Sequence, residues 1–134
     1  MCPVNELKQL LATMQPMLHT ESYVFCSVPV LEVDRLQTQP LGIFKEDEGT
    51  TIIAQKSQAD SAGLSYSGTW ACISLMVYSS LNAVGFLAEI TRHLADALIS
   101  VNAVSAYHHD HLFIPWEDRL RALEILQKLT QTER

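Results

Sequence analysis

The order of the patterned segments between residues 69 and 130 constrains the fold of this chain more than any other feature. The stretch "TWACISLMVY" (69–78) is apolar on both faces, as in a central strand. A helical pattern follows, then two short strands around a histidine-rich turn, and finally a second helical pattern. This β-α-β-β-α order is that of a ferredoxin-like half that lacks its last strand. We therefore predict an α+β fold with antiparallel sheets and helices on one face.

Both helical patterns carry apolar residues at the spacing of one helix face. In the first helix the stripe is Val84, Leu87, Ile90, Leu94 and Leu98, and we expect it to face the core. In the second helix the stripe is Leu120, Leu123, Leu126 and Leu129, and we expect it to be mostly buried. Ser79, Ser80 and Asn82 precede the first of these helices and are residue types that cap helix starts. The stripes predict that both helices pack against the same sheet.

The first half of the chain shows a similar succession of elements. A short helix is predicted from apolar residues at helical spacing, namely Leu7, Leu10, Leu11 and Met14. Asn5 is placed to cap this helix and Pro16 to stop it. The stretch "SYVFCSVPV" (22–30) then predicts an interior strand, and two short apolar runs around residues 46–49 predict a hairpin. A short helix or turn completes the half.

The stretch "SYSGTW" (65–70) has the most linker-like composition in the chain. We place a boundary there, which gives an N-terminal half, 1–67, and a C-terminal half, 68–134. No residue motif repeats between the halves, so a duplication is expected at the level of structure.

The composition narrows the partners and the cellular compartment. The net charge is −6, and no basic stripe exists to bind nucleic acid or an anionic membrane. The apolar runs are shorter than the roughly 20 residues that cross a bilayer, and no export signal is visible. Three cysteines are widely spaced, and Cys26 and Cys72 lie in apolar runs. We therefore expect a cytoplasmic protein with buried, reduced thiols.

The segment from "SSLNAVGFLAEI" to "RALEIL" (79–126) resembles the ACT domain family. The specific part is "GFLA" at residues 85–88, an amphipathic helix, and "ISVN" at residues 99–102. The resembling branch includes the regulatory ACT modules of aspartate kinases and the cytosolic arginine sensors. The stretch "LLATMQPMLHTESYVF" is similar to the opening of small bacterial tandem-ACT proteins of unassigned function. The resemblance implies two ACT-like halves in tandem and a small ligand, usually an amino acid, bound between paired ACT units.

The resemblance also implies where a ligand would bind, namely at the loop after a strand and at the next strand. By position these residues are Ser79, Ser80, Leu81, Asn82, Ala83, Val84, Gly85, Val101, Asn102, Val104 and Ser105. In the branch of the arginine sensors, an acidic residue near the hairpin would hold the cationic end of a ligand, and Asp110 has that position here. The sequence departs from the regulatory members because no kinase, dehydrogenase or hydroxylase domain is attached. A regulated protein would therefore be a separate, unidentified partner.

The chemistry of the loop agrees with this placement. A helix start offers unpaired N–H groups that suit a carboxylate, and Gly85 lets the backbone approach a ligand. Asn82 and Asn102 offer both donors and acceptors. The alternative is that Ser79 and Asn82 only cap a helix and that Gly85 only eases packing.

The stretch "AYHHDHLFIPW" (106–116) raises the question of a metal or catalytic site. Alternation on a strand places His109 and His111 on one face, with His108 and Asp110 opposite. Two histidines are too few for zinc, and His19 or His93 would join them by tertiary chance alone. We therefore expect no metal and no cofactor, and a solvated turn at His108 and His109. For Asp110, the alternative to ligand binding is a simple turn aspartate.

These observations predict a non-enzymatic sensor that binds an amino acid and passes its state to a partner. One alternative is a structural or protein-interaction module without a ligand. Another is a histidine-dependent enzyme or metal-binding protein, although no catalytic motif is recognisable. The missing last strand would leave a sheet edge open, and open edges favour association. We therefore predict a homodimer, with the alternative that residues 22–28 fill the edge within one chain.

Overall fold

The computed structural model describes residues 6–29, 39–78 and 81–133 of the chain. The helices are α1 (Leu7–Thr13), α2 (Lys56–Ser61), α3 (Phe86–Asp96) and α4 (Arg119–Glu133), the last preceded by a short 3-10 turn at Trp116–Asp118. The strands are β1 (Gln15–Val28), β2 (Gly42–Glu46), β3 (Gly49–Gln55), β4 (Trp70–Met76), β5 (Asn102–Ser105) and β6 (Asp110–Pro115). They form a six-stranded sheet in the order β2-β3-β1-β4-β6-β5. The predicted α+β, ferredoxin-like fold is confirmed.

The chain forms two compact units that are not the two sequence halves. The larger unit comprises Met1–Thr20 and Ala71–Arg134, and the smaller unit comprises Glu21–Trp70. The two units therefore divide within β1. The division of the chain into the halves 1–67 and 68–134 stays a prediction. It concerns a duplication of the sequence, and the compact units do not test how the sequence arose.

The core of the larger unit lies between its helices and one face of β4 and β6. On β4, Ile73 and Leu75 point into this core, and on β6, Leu112 and Ile114 do the same. The helices contribute the remaining large buried side chains, among them Leu10, Leu11, Phe86, Ile90, Leu94, Leu126 and Leu129. Each fully buried aliphatic side chain contributes about 1.5–3 kcal/mol, so this layer supplies much of the folding free energy of the unit. The opposite face of the same strands carries Ser74 and His111.

The strand that the sequence analysis found missing comes from the beginning of the chain. In the larger unit, residues 15–20 of β1 lie beside β4, and His19 on β1 contacts Ser74 on β4. The expectation of an open sheet edge at this place was therefore wrong. The alternative, an N-terminal strand of residues 22–28 that fills the edge, agrees with the structure, although β1 begins earlier, at Gln15. The strands at the two ends of the sheet are β2 and β5. A missing strand therefore does not favour a homodimer, and the homodimer stays a prediction.

Helix α1 is shorter than predicted. It ends at Thr13, Met14 is already extended, and Pro16 lies within β1. Pro16 therefore lies beyond the end of the helix and not inside it. Glu6 has the N-cap position and makes no side-chain capping bond, while Asn5 lies outside the described residues.

The predicted stripe on α3 is too long at both ends. The helix begins after Gly85 and buries Phe86, Ile90 and Leu94, while Val84 is 84% and Leu98 is 90% exposed. Leu98 follows the helix in a left-handed conformation with φ of 61°. The predicted burial of Val84 and Leu98 was therefore wrong, since a stripe continues only as far as its helix.

The stripe on α4 is confirmed in part. Leu126 and Leu129 are buried and Leu123 is half-buried. Leu120, one residue after the helix begins, is 65% exposed, so the stripe is mostly but not wholly buried. In the part of the chain that the structure describes, no helix has the length and apolar character to cross a bilayer.

The smaller unit is a hairpin paired with the second part of β1. Strands β2 and β3 are antiparallel, with Glu46 opposite Gly49, as the sequence predicted. Strand β3 pairs in turn with β1, and α2 covers a core that contains Val24, Cys26 and Ile52. Cys26 is a buried free thiol, and its burial raises its pKa, as expected for an inert cysteine.

Candidate functional site

A pocket of about 160 Å³ opens at the start of α3 in the larger unit. Its walls are the loop before α3, the first turn of α3, and the β5–β6 turn. The lining residues are Leu81, Ala83, Gly85, Phe86, Leu87, Ala88, Ser105, Ala106 and Asp110. An engineered cavity of roughly 150 Å³ holds a benzene-sized molecule, so the pocket has room for a small organic ligand.

The first turn of α3 presents backbone N–H groups at the pocket. The N–H of Glu89 donates to the carbonyl of Gly85 at 3.0 Å. The N–H groups of the preceding helical residues, 86–88, therefore have no partner inside the helix. Gly85 has the N-cap position with φ of 91° and supplies no side-chain cap. The N-cap position thus belongs to Gly85 and not to Asn82, and the helix start suits an anionic group.

A carboxylate lies on the facing wall of the pocket. Asp110 and Ser105 are opposite one another in the β5–β6 ladder, so their side chains share the face of the sheet that the helices cover. The turn between them closes with a bond from the N–H of Ala106 to the carbonyl of His109 at 3.0 Å. The pocket therefore offers N–H donors on one wall and an anionic acceptor on another. This arrangement suits a ligand that carries both a negative and a positive group.

The structure brings part of the predicted ligand residues together. Those that line the pocket are Leu81, Ala83, Gly85, Ser105 and Asp110. Asn82 and Val84 belong to the same loop but are exposed and are not lining residues. Ser79 and Ser80 lie outside the described residues. The assignment of these residues to ligand binding stays a prediction.

The residues predicted on β5 are divided between the two faces of the sheet. Val104 is opposite His111 and Asn102 is opposite Phe113, so both point away from the helices and from the pocket. Val101 packs against the helical core. Alternation along the strand thus places Ser105, but not Asn102 or Val104, in the pocket.

Sequence reasoning missed four lining residues, namely Phe86, Leu87, Ala88 and Ala106. The helix was expected to start near Asn82, which made residues 86–88 appear to be interior to it. Gly85 was the available signal, because a glycine with positive φ often marks a helix boundary.

A hydrogen-bonded histidine cluster lies on the helix-free face of the same strands. Nε2 of His19 lies 2.7 Å from Oγ of Ser74, and Nδ1 of His111 lies 2.7 Å from the same oxygen. Ser74 is 1% exposed. Burial lowers the pKa of His111, the neighbouring His109 and His19 lower it further, and Asp110 acts in the opposite direction. Both imidazoles are therefore tied to one buried hydroxyl.

Two expectations about the histidines need correction. His108 is exposed in the turn, as expected, but His109 is half-buried, and its Nδ1 donates to the carbonyl of Val77 at 3.4 Å. His19 does join this region, through Ser74. Within residues 6–29, 39–78 and 81–133, no three His, Cys, Asp or Glu side chains gather as a metal site.

Two family models match the chain one after the other, and both describe an ACT domain. The first covers residues 3–71, more than half of the chain, and the second covers residues 66–128. No curated protein matches the chain.

Solved structures show the same fold over nearly the whole chain. A Vibrio cholerae protein of unknown function, described as a possible transport protein, is 38% identical with a TM-score of 0.84, over 93% of this chain and 96% of that chain. An Agrobacterium tumefaciens protein is 16% identical with a TM-score of 0.72, over 87% and 89%. The regulatory subunit of aspartate kinase from Thermus flavus is 12% identical with a TM-score of 0.66, over 85% and 95%. At these identities the last two share the fold alone.

The family matches agree with the sheet order and with the pocket. ACT domains are regulatory ligand-binding modules, so the matches support a ligand-binding regulatory role. The predicted resemblance is confirmed over both parts of the chain. The chain belongs to the ACT domain family and carries two ACT domains in tandem.

Proposed function

We propose that this chain is a non-enzymatic, cytoplasmic sensor that binds an amino acid in the pocket at the start of α3. A separate protein would respond to whether the pocket is filled. One observation carries the proposal: the first turn of α3, whose N-cap is a glycine without a side-chain bond, and Asp110 line the same pocket.

The two ends of an amino acid match the two polar walls of this pocket. The carboxylate would accept from the N–H groups of residues 86–88, where the positive end of the helix dipole adds attraction. The ammonium group, or a cationic side chain, would donate to Asp110. Leu81, Ala83 and Phe86 would contact the apolar part of the ligand.

The comparisons support the regulatory part of the proposal. The two ACT domain matches together cover residues 3–128. The Thermus flavus structure is itself the regulatory subunit of a kinase, which shows the same fold in a regulatory chain. That the ligand is an amino acid is inferred from the pocket of this chain alone.

We further propose that the chain is a homodimer that pairs through β5. This strand is at one end of the sheet, and all four of its residues, "NAVS", are exposed. Edge strands normally carry charges or proline, as β2 does with Lys45 and Glu46 at the other end, but β5 has neither. Antiparallel pairing of two β5 strands about a two-fold axis would cover this edge. Because Ser105 lines the pocket, dimerisation would also narrow the opening of the pocket.

The test is a thermal-shift screen of the full chain with each of the twenty common amino acids at pH 7. A ligand at 100 times its Kd should add about 2.7 kcal/mol to the free energy of unfolding. Asp110→Asn should abolish the shift by the responding amino acid. Asp47→Asn, which changes an exposed carboxylate in the β2–β3 turn, is the matched control and should retain it.

Two results would contradict the proposal. One is the absence of any shift with all twenty amino acids at millimolar concentration. The other is an equal loss of the shift in both variants, because a general charge effect would then explain it. For the dimer, sedimentation equilibrium at micromolar concentration should give about twice the 15.0 kDa of one chain, and Val104→Lys on β5 should return it to one chain.

A further inference from the structure

We propose that the group His19–Ser74–His111 positions Asp110 and so makes the shape of the pocket depend on pH, an inference that rests on the ligand site proposed above. The histidines and Asp110 lie on opposite faces of one strand, β6. Protonation on the helix-free face would thus move a carboxylate on the ligand-binding face.

Ser74 is the shared hydrogen-bonding partner of the two imidazoles. Its hydroxyl carries one proton and accepts two further bonds. With ring nitrogens at 2.7 Å on either side, it donates to one nitrogen and accepts from the other when both rings are neutral. Ser74 is buried, so water does not replace a lost partner. The neutral arrangement is therefore the one that satisfies all three groups.

The two rings take up two protons with different consequences. A first proton that binds the outer nitrogen of the ring that already donates to Ser74 leaves both bonds of Ser74 in place. A second proton makes both rings donors, so the proton of Ser74 has to turn to another acceptor, for which the nearby sulfur of Cys72 is available. It also places two cations against one oxygen, where their repulsion is weakly screened. The group therefore takes up its second proton with difficulty, the bond that Ser74 donates to a ring is lost, and repulsion moves His111 away from Ser74.

The titratable side chains around the group make protonation of His111 harder, with the exception of Asp110. His109 lies two residues before His111 on the same face and repels a charge there, as does His19. Asp110 opposes them from the other face. Cys72 stays neutral because burial raises its pKa to about 11, and Val104, which is opposite His111 on β5, does not titrate. Burial and the two histidines outweigh Asp110, because the pKa of His111 is lowered overall.

The connection to the pocket is the short backbone segment that carries these side chains. Asp110 and His111 are consecutive at the start of β6, so a rotation that releases His111 from Ser74 also turns Asp110. His109 is bonded to the carbonyl of Val77, which directly follows β4 and leads towards the pocket loop. Movement of the turn therefore changes the distance between Asp110 and the start of α3.

The experiment uses the unliganded full chain, so its result does not depend on whether the amino-acid screen succeeds. Histidine ring resonances and the backbone amide of Gly85 are followed by NMR from pH 8 to pH 5. Gly85 is the reporter because it is on the opposite wall of the pocket from Asp110. We expect His111 to titrate with a midpoint below 6.5 and the Gly85 amide to shift with the same midpoint.

Variants separate a positioning role from the simple proximity of charges. His19→Gln removes one of the two rings that lower the pKa of His111 and should raise the His111 midpoint, with the Gly85 midpoint moving equally. Ser74→Ala should leave His111 able to titrate while the Gly85 amide no longer follows it. His108→Gln changes an exposed neighbour in the same turn and is the matched control, which should leave both midpoints unchanged.

Three results would overturn the proposal. In the unchanged chain, a Gly85 amide that does not titrate with His111 would show that the histidine does not act on the pocket. An unchanged His111 midpoint in His19→Gln would show that the two rings are not coupled. In Ser74→Ala, a Gly85 amide that still follows His111 would show that the charge acts through space and not through the bonded group.

Discussion

The two faces of the sheet in the larger unit hold their residues in different ways. On the face that the helices cover, Ile73 and Leu112 are fully buried among aliphatic side chains. On the other face, Ser74 is buried as deeply, but its contacts are directional bonds to two imidazoles. Apolar packing depends on area and hardly on pH, whereas the bonded group depends on the position of individual protons. One face thus stabilises the fold, and the other can respond to the solution.

The largest effect expected on either face is that of Leu112→Ala. It removes buried methyl groups beneath the helices and should lower the free energy of unfolding by about 2–5 kcal/mol. Urea unfolding measures the loss, which should be the same at pH 7 and pH 5.5. Leu120→Ala, at an exposed leucine of α4, is the matched control and should cost less than about 0.5 kcal/mol. Similar losses in both variants would mean that the helix-covered face is not the main core.

A smaller effect is expected for Ser74→Ala on the opposite face. The variant leaves two ring nitrogens without their shared partner and should cost about 1 kcal/mol at pH 7. Unlike the cost of Leu112→Ala, this one should shrink at a pH low enough to protonate His111, because the bonds are then lost in the unchanged chain too. Urea unfolding of both proteins across this pH range measures the difference. A cost that is independent of pH would remove the distinction between the faces.

The smallest effect is the pH dependence that His111 gives to stability. Its pKa is lowered in the folded chain, so below pH 6.5 the unfolded chain binds a proton that the folded chain does not. Stability should therefore fall as the pH decreases from about 6.5, and the fall should end below the folded pKa of His111. His111→Gln should flatten the curve between pH 7 and pH 5.5, and His108→Gln should leave it unchanged. A steeper fall in His111→Gln would mean that the sign is wrong.

The helix-covered face was largely predictable from the sequence, because apolar periodicity records which side of a strand or helix is buried. The stripes around Ile90, Leu94, Leu126 and Leu129 were found in this way. The errors lie at the two ends of α3, at Val84 and Leu98, where a local conformation and not the pattern ends the burial. The left-handed φ of Gly85 decides the start of α3, and no periodicity records it.

The histidine group could not be predicted, and the missing strand was predicted only as an alternative, for a different reason. His19, Ser74 and His111 are far apart in sequence, and strand pairing alone brings them together. No pattern in the sequence records which strands pair, so the filling of the edge by the strand at residues 22–28 could not be preferred over a dimer. The resemblance to ACT domains placed the pocket loop, but the alternation along β5 decided that Ser105, not Asn102 or Val104, lines the pocket.

The division of β1 between the two units has a consequence for the order in which the chain folds. During synthesis α1 and residues 15–20 emerge well before the elements that they pack against, β4 and α4. Such long-range contacts slow folding, since the closure of a long loop precedes any gain from contact. The first apolar helix therefore waits unburied on the ribosome until the second half of the chain has been made, a period in which a nascent chain is open to aggregation or to chaperones. A fragment that begins at residue 68 would lack this strand, whereas a circular permutant that places residues 6–20 after α4 would have all parts of the larger unit in one continuous stretch.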